Sequence, residues 1–148
     1  MLTSAGATAT PCSRTERALV LYDEDCGFCR RSLAKLLAWD RRHRLQPVAL
    51  QSQRGRELTA DLGELPRMAS WHLVIGGKRA SGGLAAAPLL RMLPGGSPVA
   101  ALLERFPQAT ERAYRWIAGH RHPFGRMITR RAAERAGARI ESRHGGPD

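Results

Sequence analysis

Two cysteines, Cys26 and Cys29, stand three residues apart in the run Leu19-Val20-Leu21-Tyr22-Asp23-Glu24-Asp25-Cys26-Gly27-Phe28-Cys29-Arg30-Arg31. That spacing suits reversible disulfide chemistry. If a helix opens at the pair, the two residues share one face about one turn apart, and their Cα atoms fall in the ~4.4 to 6.8 Å range that a disulfide requires. Exchange starts from a thiolate, so the attacking cysteine needs a lowered pKa and access to its substrate. Cys26, at the helix mouth, has unpaired backbone N–H groups and the positive end of the helix dipole beside it. It is expected to be the exposed nucleophile, and Cys29, one turn inside and less exposed, the resolving thiol. Arg30 and Arg31 favour a thiolate here, whereas Asp23, Glu24 and Asp25 oppose one.

The acids allow two readings. One of them, with Asp23 at the strand end preferred over Asp25, exchanges protons with Cys29 during resolution. Alternatively, Asp23 and Asp25 cap the helix and accept from its first N–H groups. A zinc site of Cys26, Cys29, His120 and His122 competes for the same thiols, since the ligand types are right. The spacing is not that of a zinc finger, however, and His120-Arg121-His122-Pro123 reads more simply as a helix end, so no metal is assigned. His72 is read as a packed or surface histidine. Phe28 is placed either against substrate or in the packing of the first turn, and Trp39, Trp71 and Trp116 as core or groove-lining aromatics. Cys12 is either a regulatory partner of the pair or incidental.

The elements that must position this pair are legible around it. Ala18 to Tyr22 is a continuous apolar run, as in a buried parallel strand, and Asp23 to Asp25 form the turn after it. Leu33, Leu36 and Leu37 then recur at helical spacing. Leu45 to Leu50 reads as a second strand with Pro47 near its start. Ser52 is placed as the cap of a short helix through Leu62, ended by Gly63 and Pro66. Trp71 to Ile75, Gly76-Gly77 and Lys78 to Ser81 form a hairpin, because paired glycines supply the positive φ of a two-residue turn. Helical segments follow at Leu84 to Leu93, Val99 to Phe106, Gln108 to His120 and Phe124 to Ala136, each punctuated by Pro or Gly. This order predicts an α/β chain with one four-stranded mixed sheet flanked by helices and extended by C-terminal helices. In such sheets reactive groups sit beyond the carboxyl ends of strands, where the cysteines fall.

With 148 residues, the chain suits one domain that folds without disulfide staples. Residues 1 to 16 read as a flexible tail, 17 to 138 as the domain with its helical extension, and 139 to 148 as a second flexible tail. No apolar stretch is long enough to span a membrane, and the first residues lack the basic and apolar regions of a secretory signal. A reducing cytoplasm is the expected location. The formal charge of +11 invites a nucleic-acid reading. Of the 24 cations only Lys35 and Lys78 are lysine, the arginines are scattered, and aromatic interleaving is absent. The basic surface is therefore read as solvated rather than as a nucleic-acid site, with Arg112 to Arg139 the region to inspect for an acidic partner.

The string Tyr22-Asp23-Glu24-Asp25-Cys26-Gly27-Phe28-Cys29 resembles the DCC family of thiol-disulfide oxidoreductases, whose hallmark is Asp-x-x-Cys-x-x-Cys after the first strand. Ser70-Trp71-His72-Leu73-Val74, Gly76-Gly77-Lys78 and Gly83-Leu84-Ala85-Ala86 are similar to that family's hairpin and third-helix region, so the resemblance spans roughly residues 18 to 125. It implies a thioredoxin-like fold and disulfide exchange through Cys26 and Cys29 with protein or low-molecular-weight thiol and disulfide substrates, without a bound organic cofactor; the alternative is a non-catalytic basic binding module of that fold whose cysteines are structural or bind zinc. The electron donor is not legible. The chain departs from the pattern at Glu24, where the family often has glycine. It also lacks the proline that thioredoxins place just before the third strand, since Pro66 precedes Trp71 by five residues.

Overall fold

The computed structural model describes residues 17–144. Its centre is a four-stranded mixed sheet in the order β2-β1-β3-β4, built from β1 (Ala18–Tyr22), β2 (Leu45–Ala49), β3 (His72–Ile75) and β4 (Lys78–Ser81). β1 pairs parallel with β2, from Ala18↔Leu45 to Tyr22↔Ala49, and antiparallel with β3, from Leu19↔Val74 to Leu21↔His72. The β3–β4 turn is the expected paired-glycine hairpin, with Gly76 at φ 55° and Gly77 at φ 76°. Both angles lie where only glycine is comfortable, which fixes the register of the pairing. This is the thioredoxin-like α/β arrangement that the sequence order predicts.

The apolar run of β1 is continuous because helices cover both faces of the sheet. Side chains alternate along a strand, so Ala18, Val20 and Tyr22 face one layer and Leu21 the other. The first layer holds α1 (Gly27–Trp39), α4 (Ala86–Met92) and α8 (Arg130–His144), whose Leu33, Leu37, Leu89, Met92 and Ile140 complete the larger core. The second, smaller core joins Leu21, Val48, Leu50 and Val74 to Leu58 of α2 (Gln53–Leu58) and Met68 of α3 (Glu64–Ala69). A 3-10 turn, Gly82–Ala85, leads into α4. Helices α5 (Ser97–Arg105), α6 (Pro107–Gly119) and α7 (Arg121–Arg126) follow before α8.

Three expectations are corrected. The helix capped by Ser52 ends at Leu58, and residues 64–69 form a separate helix, with Gly63 as its N-cap and Pro66 inside its first turn. Proline is tolerated there because the first N–H groups of a helix have no intrahelical partner. The segment expected from Phe124 to Ala136 is two helices broken at Met127 to Thr129. Finally, the tail expected from Arg139 is helical through His144, since Ala136 and Ile140, four apart on α8, are both buried.

The end of α8 is fastened by charge. Asp40, at the C-cap of α1, is fully buried and accepts from Arg44 N (3.1 Å), Leu45 N (2.8 Å) and Arg143 Nη1 (3.1 Å). Arg143 Nη2 also donates to the carbonyls of Leu37 (2.8 Å) and Asp40 (3.0 Å), satisfying groups that a helix end leaves open. His72 is likewise buried but paired, with Nε2 at 2.9 Å from Arg67 O and Nδ1 at 2.6 Å from Ser81 Oγ. Burial lowers its pKa, because the charged ring would lose its hydration. Among the described residues no helix is long and apolar enough to cross a membrane.

Candidate active site

β1 delivers the chain to the carboxyl edge of the sheet, where Asp23 begins a turn that places Cys26 at the N-cap of α1. Cys26 has extended backbone (φ −91°, ψ 106°), and its sulfur folds back over the first turn to accept from Cys29 N at 3.3 Å. The Cys29 thiol donates to the same sulfur at 2.8 Å. Both thiols are free. One side chain therefore serves as helix cap and thiol acceptor together, a use of the i, i+3 spacing that ties the chemistry to the fold.

This geometry makes the two thiols unequal. The hydrogen bond from the Cys29 thiol is the main cause that lowers the Cys26 pKa from 9.0 to about 6. The Cys29 backbone N–H acts in the same direction and burial in the opposite one. Of the nearby charges, Asp23 raises the value and Arg121 lowers it. Cys29 is driven far upward because its proton is held by Cys26, because it is buried, and because a second negative charge would stand beside the first. The pair thus carries one charge near neutral pH, centred on Cys26, and keeps one proton, on Cys29.

Exposure does not follow the expected order. Cys26 retains 6% of its accessible surface, whereas Cys29 is half-buried. The cover over the Cys26 residue comes with the cap, which holds its sulfur against Cys29 N, and with α7 packed on α1, although the Cys29 thiol group is itself the more deeply surrounded of the two. A side chain at Gly125 would approach Phe28 N to 3.6 Å, and the Phe28 and Phe124 rings are 5.7 Å apart between centroids. Phe28 therefore packs, and it also lines a cavity of about 250 Å³ with Cys29, Tyr22, Trp71, Tyr114 and Arg121. Trp71, rather than a proline, precedes β3 at this cavity. Trp39 and Trp116, read as core or groove-lining, are instead 40% and 59% exposed. Trp39 donates to Pro94 O at 3.0 Å, and Trp116 stacks on His120 at 4.5 Å.

The acids do not cap α1, since Cys26 occupies that position. Asp23 Oδ1 accepts from Asp25 N (3.0 Å) and from Gln51 Nε2 (2.7 Å), which also donates to Asp25 Oδ2 at 3.3 Å. Glu24 N donates to Gln51 Oε1 at 3.3 Å, so Gln51 cross-links the acidic turn. Asp23 remains close enough to act electrostatically on both thiols. His120 Nδ1 lies 2.7 Å from Trp116 O, and among the described residues no three His, Cys, Asp or Glu side chains gather to hold a metal. Cys12 lies outside the described residues.

Sequence reasoning missed Gln51 and Arg121. Gln51 follows β2 at the same sheet edge as Asp23, and the pairing of parallel strands offered that signal. Arg121 arrives from the far end of the chain, and no local pattern announces it.

Compared with known protein families, residues 20–127 match the family described as DCC1-like thiol-disulfide oxidoreductase. Neither the curated proteins nor the solved structures with which the chain was compared contain a match.

Proposed function

The chain belongs to the DCC1-like thiol-disulfide oxidoreductase family, and on that premise we propose that it exchanges its Cys26/Cys29 dithiol with disulfides of protein or low-molecular-weight substrates. The hydrogen-bonded pair at the N-terminus of α1 carries this reading: the Cys29 thiol stands 2.8 Å from the Cys26 sulfur and donates to it, which lowers the Cys26 pKa to about 6. The Cys26 thiolate attacks one sulfur of the substrate disulfide, forming a mixed disulfide and expelling the other sulfur as a thiolate. That step removes the negative charge that held the Cys29 proton. Cys29 then loses its proton and attacks the Cys26 sulfur, closing the Cys26–Cys29 disulfide and releasing the second substrate thiolate. Two electrons pass to the substrate, and an external thiol donor returns them by the reverse steps.

The Cys29 proton needs an acceptor, a role we give to the Asp23 carboxylate at the end of β1. The cavity beside Cys29 supports a substrate with an apolar group next to its sulfur, since Trp71, Tyr114 and Phe28 form its walls. The Cys29→Ser variant tests the division of labour. It should accumulate mixed disulfides through Cys26 that dithiothreitol releases, while Cys26→Ser accumulates none. The reading fails if the wild-type chain reduces no disulfide and Cys29→Ser traps no partner.

A further inference from the structure

Three cavities lie end to end along α1. The apolar cavity at Cys29 shares Phe28 and Ser32 with a second of about 480 Å³. The second shares Arg31, Lys35 and Arg135 with an open groove of about 830 Å³ between α1 and α8. Besides Arg143, five cations line the groove: Arg31, Lys35, Arg41, Arg135 and Arg139. None of the five pairs with a carboxylate among the described residues. Asp40, the carboxylate at the groove, is fully buried and occupied by Arg143 and two backbone N–H groups. The track therefore changes from apolar at the dithiol to strongly positive one to two turns further along α1.

We infer that this track binds an acidic polypeptide substrate, with an apolar residue beside the reacting sulfur in the Cys29 cavity and Asp or Glu residues in the α1/α8 groove. The inference rests on the exchange reading above. Uncompensated cations along a concave wall focus potential and draw in an oppositely charged partner. A partner that follows the track to the dithiol must also bring a sulfur, which a polypeptide does and a nucleic acid does not. The helical rise of about 1.5 Å per residue separates Cys29 from Lys35 by about 9 Å and from the end of α1 by about 15 Å. An extended chain covers that span in about three to five residues, so the acidic residues belong at that distance from the disulfide.

The test uses the pre-reduced wild-type chain in single turnovers, so that its own dithiol is the only reductant. The substrates are disulfide-linked dimers of a peptide whose cysteine adjoins a phenylalanine and is flanked three to five residues away on both sides by glutamates, serines or lysines. The neutral bis(2-hydroxyethyl) disulfide is the reference. The acidic dimer should react about tenfold or more faster than the serine dimer at low salt, and the lysine dimer more slowly than either. Raising the salt should erase the preference. The exposed-site variant Lys35→Glu/Arg139→Glu should erase it too, while leaving the reference rate unchanged. Equal rates for the three peptides on the wild-type chain overturn the inference without recourse to any variant, as does a preference that survives the double charge reversal. Oligonucleotides that bind at these residues more tightly than the acidic peptide also overturn it. If neither the neutral reference nor any peptide dimer is reduced and Cys29→Ser traps no partner, the exchange reading fails and takes this inference with it. A reduced reference without acidic preference removes only the inference.

Discussion

The two ends of α1 each hold a negative charge, and they treat it in opposite ways. At the C-terminal end Asp40 is fully buried and fixed by Arg143 and two backbone N–H groups, with the arginine also satisfying the Leu37 carbonyl. Such a charge has no freedom to react, and it contributes by tying α8 to α1. At the N-terminal end the charge on Cys26 is met by one backbone N–H and by a thiol proton that can leave. The helix dipole cannot create that contrast, since it favours the anion at the N-terminus and disfavours it at the C-terminus. Local donors decide the outcome: fixed donors make a fastening and a labile donor makes a reactive site.

The largest effect expected from breaking this contrast is on stability. Arg143→Ala leaves a buried carboxylate with only its backbone donors, and removing one partner of a buried pair costs about 3 kcal/mol or more. Denaturant unfolding should show the loss as a lower midpoint with an unchanged slope, while the Cys26 pKa stays near its wild-type value. A shifted Cys26 pKa in that variant would mean that the two ends are coupled.

A second effect, spread over a pH range instead of falling on one variant, sharpens the comparison from the other end. Cys26 titrates near 6 in the folded reduced chain against an ordinary 9.0, so the unfolded chain binds more protons between these values. Stability of the reduced protein should therefore rise between about pH 6 and pH 9, with a slope of at most about 1.4 kcal/mol per pH unit. Above pH 9 the raised pKa of Cys29 works in the opposite sense and the curve turns down. Oxidising the pair, or making Cys29→Ala, should flatten the rise, as measured by unfolding across the pH series. A rise that persists in the oxidised protein would assign it to other groups.

The smallest expected effect is that of Asp23→Asn. Removing this charge should lower the Cys26 pKa further, because Asp23 opposes the thiolate. Loss of the carboxylate should also shift the pH profile of the resolving step, followed by quenched-flow analysis of the mixed disulfide. A lowered Cys26 pKa with an unchanged resolving profile would leave Asp23 an electrostatic role and remove its proton-transfer role.

What the sequence revealed was local. Strand, acidic turn, Cys-x-x-Cys and amphipathic helix are adjacent in the chain, and each carries its own signal in side-chain period or turn chemistry. The glycine pair at 76 and 77 announced its hairpin for the same reason. The fastening at Asp40 was invisible because its arginine lies 103 residues away, and no periodicity reports such a pairing. Ala136 and Ile140 did offer a helical signal past Gly137, but the polar residues around them masked it. At the site, the spacing anticipated that the two sulfurs meet, as they do at 2.8 Å, but not which residue keeps more accessible surface. A cysteine used as an N-cap turns its sulfur into the helix, and the cover by α7 depends on contacts between Phe28, Phe124 and Gly125 that only the tertiary fold creates.

The central claim is that Cys26 is the thiolate although the Cys29 residue keeps more accessible surface. The most direct test is the rate of iodoacetamide alkylation of the reduced protein as a function of pH, with the modified residue identified by peptide mass spectrometry. Alkylation should fall on Cys26 with a midpoint of about 6. First modification at Cys29, or a midpoint near the ordinary value of 9.0, would contradict it.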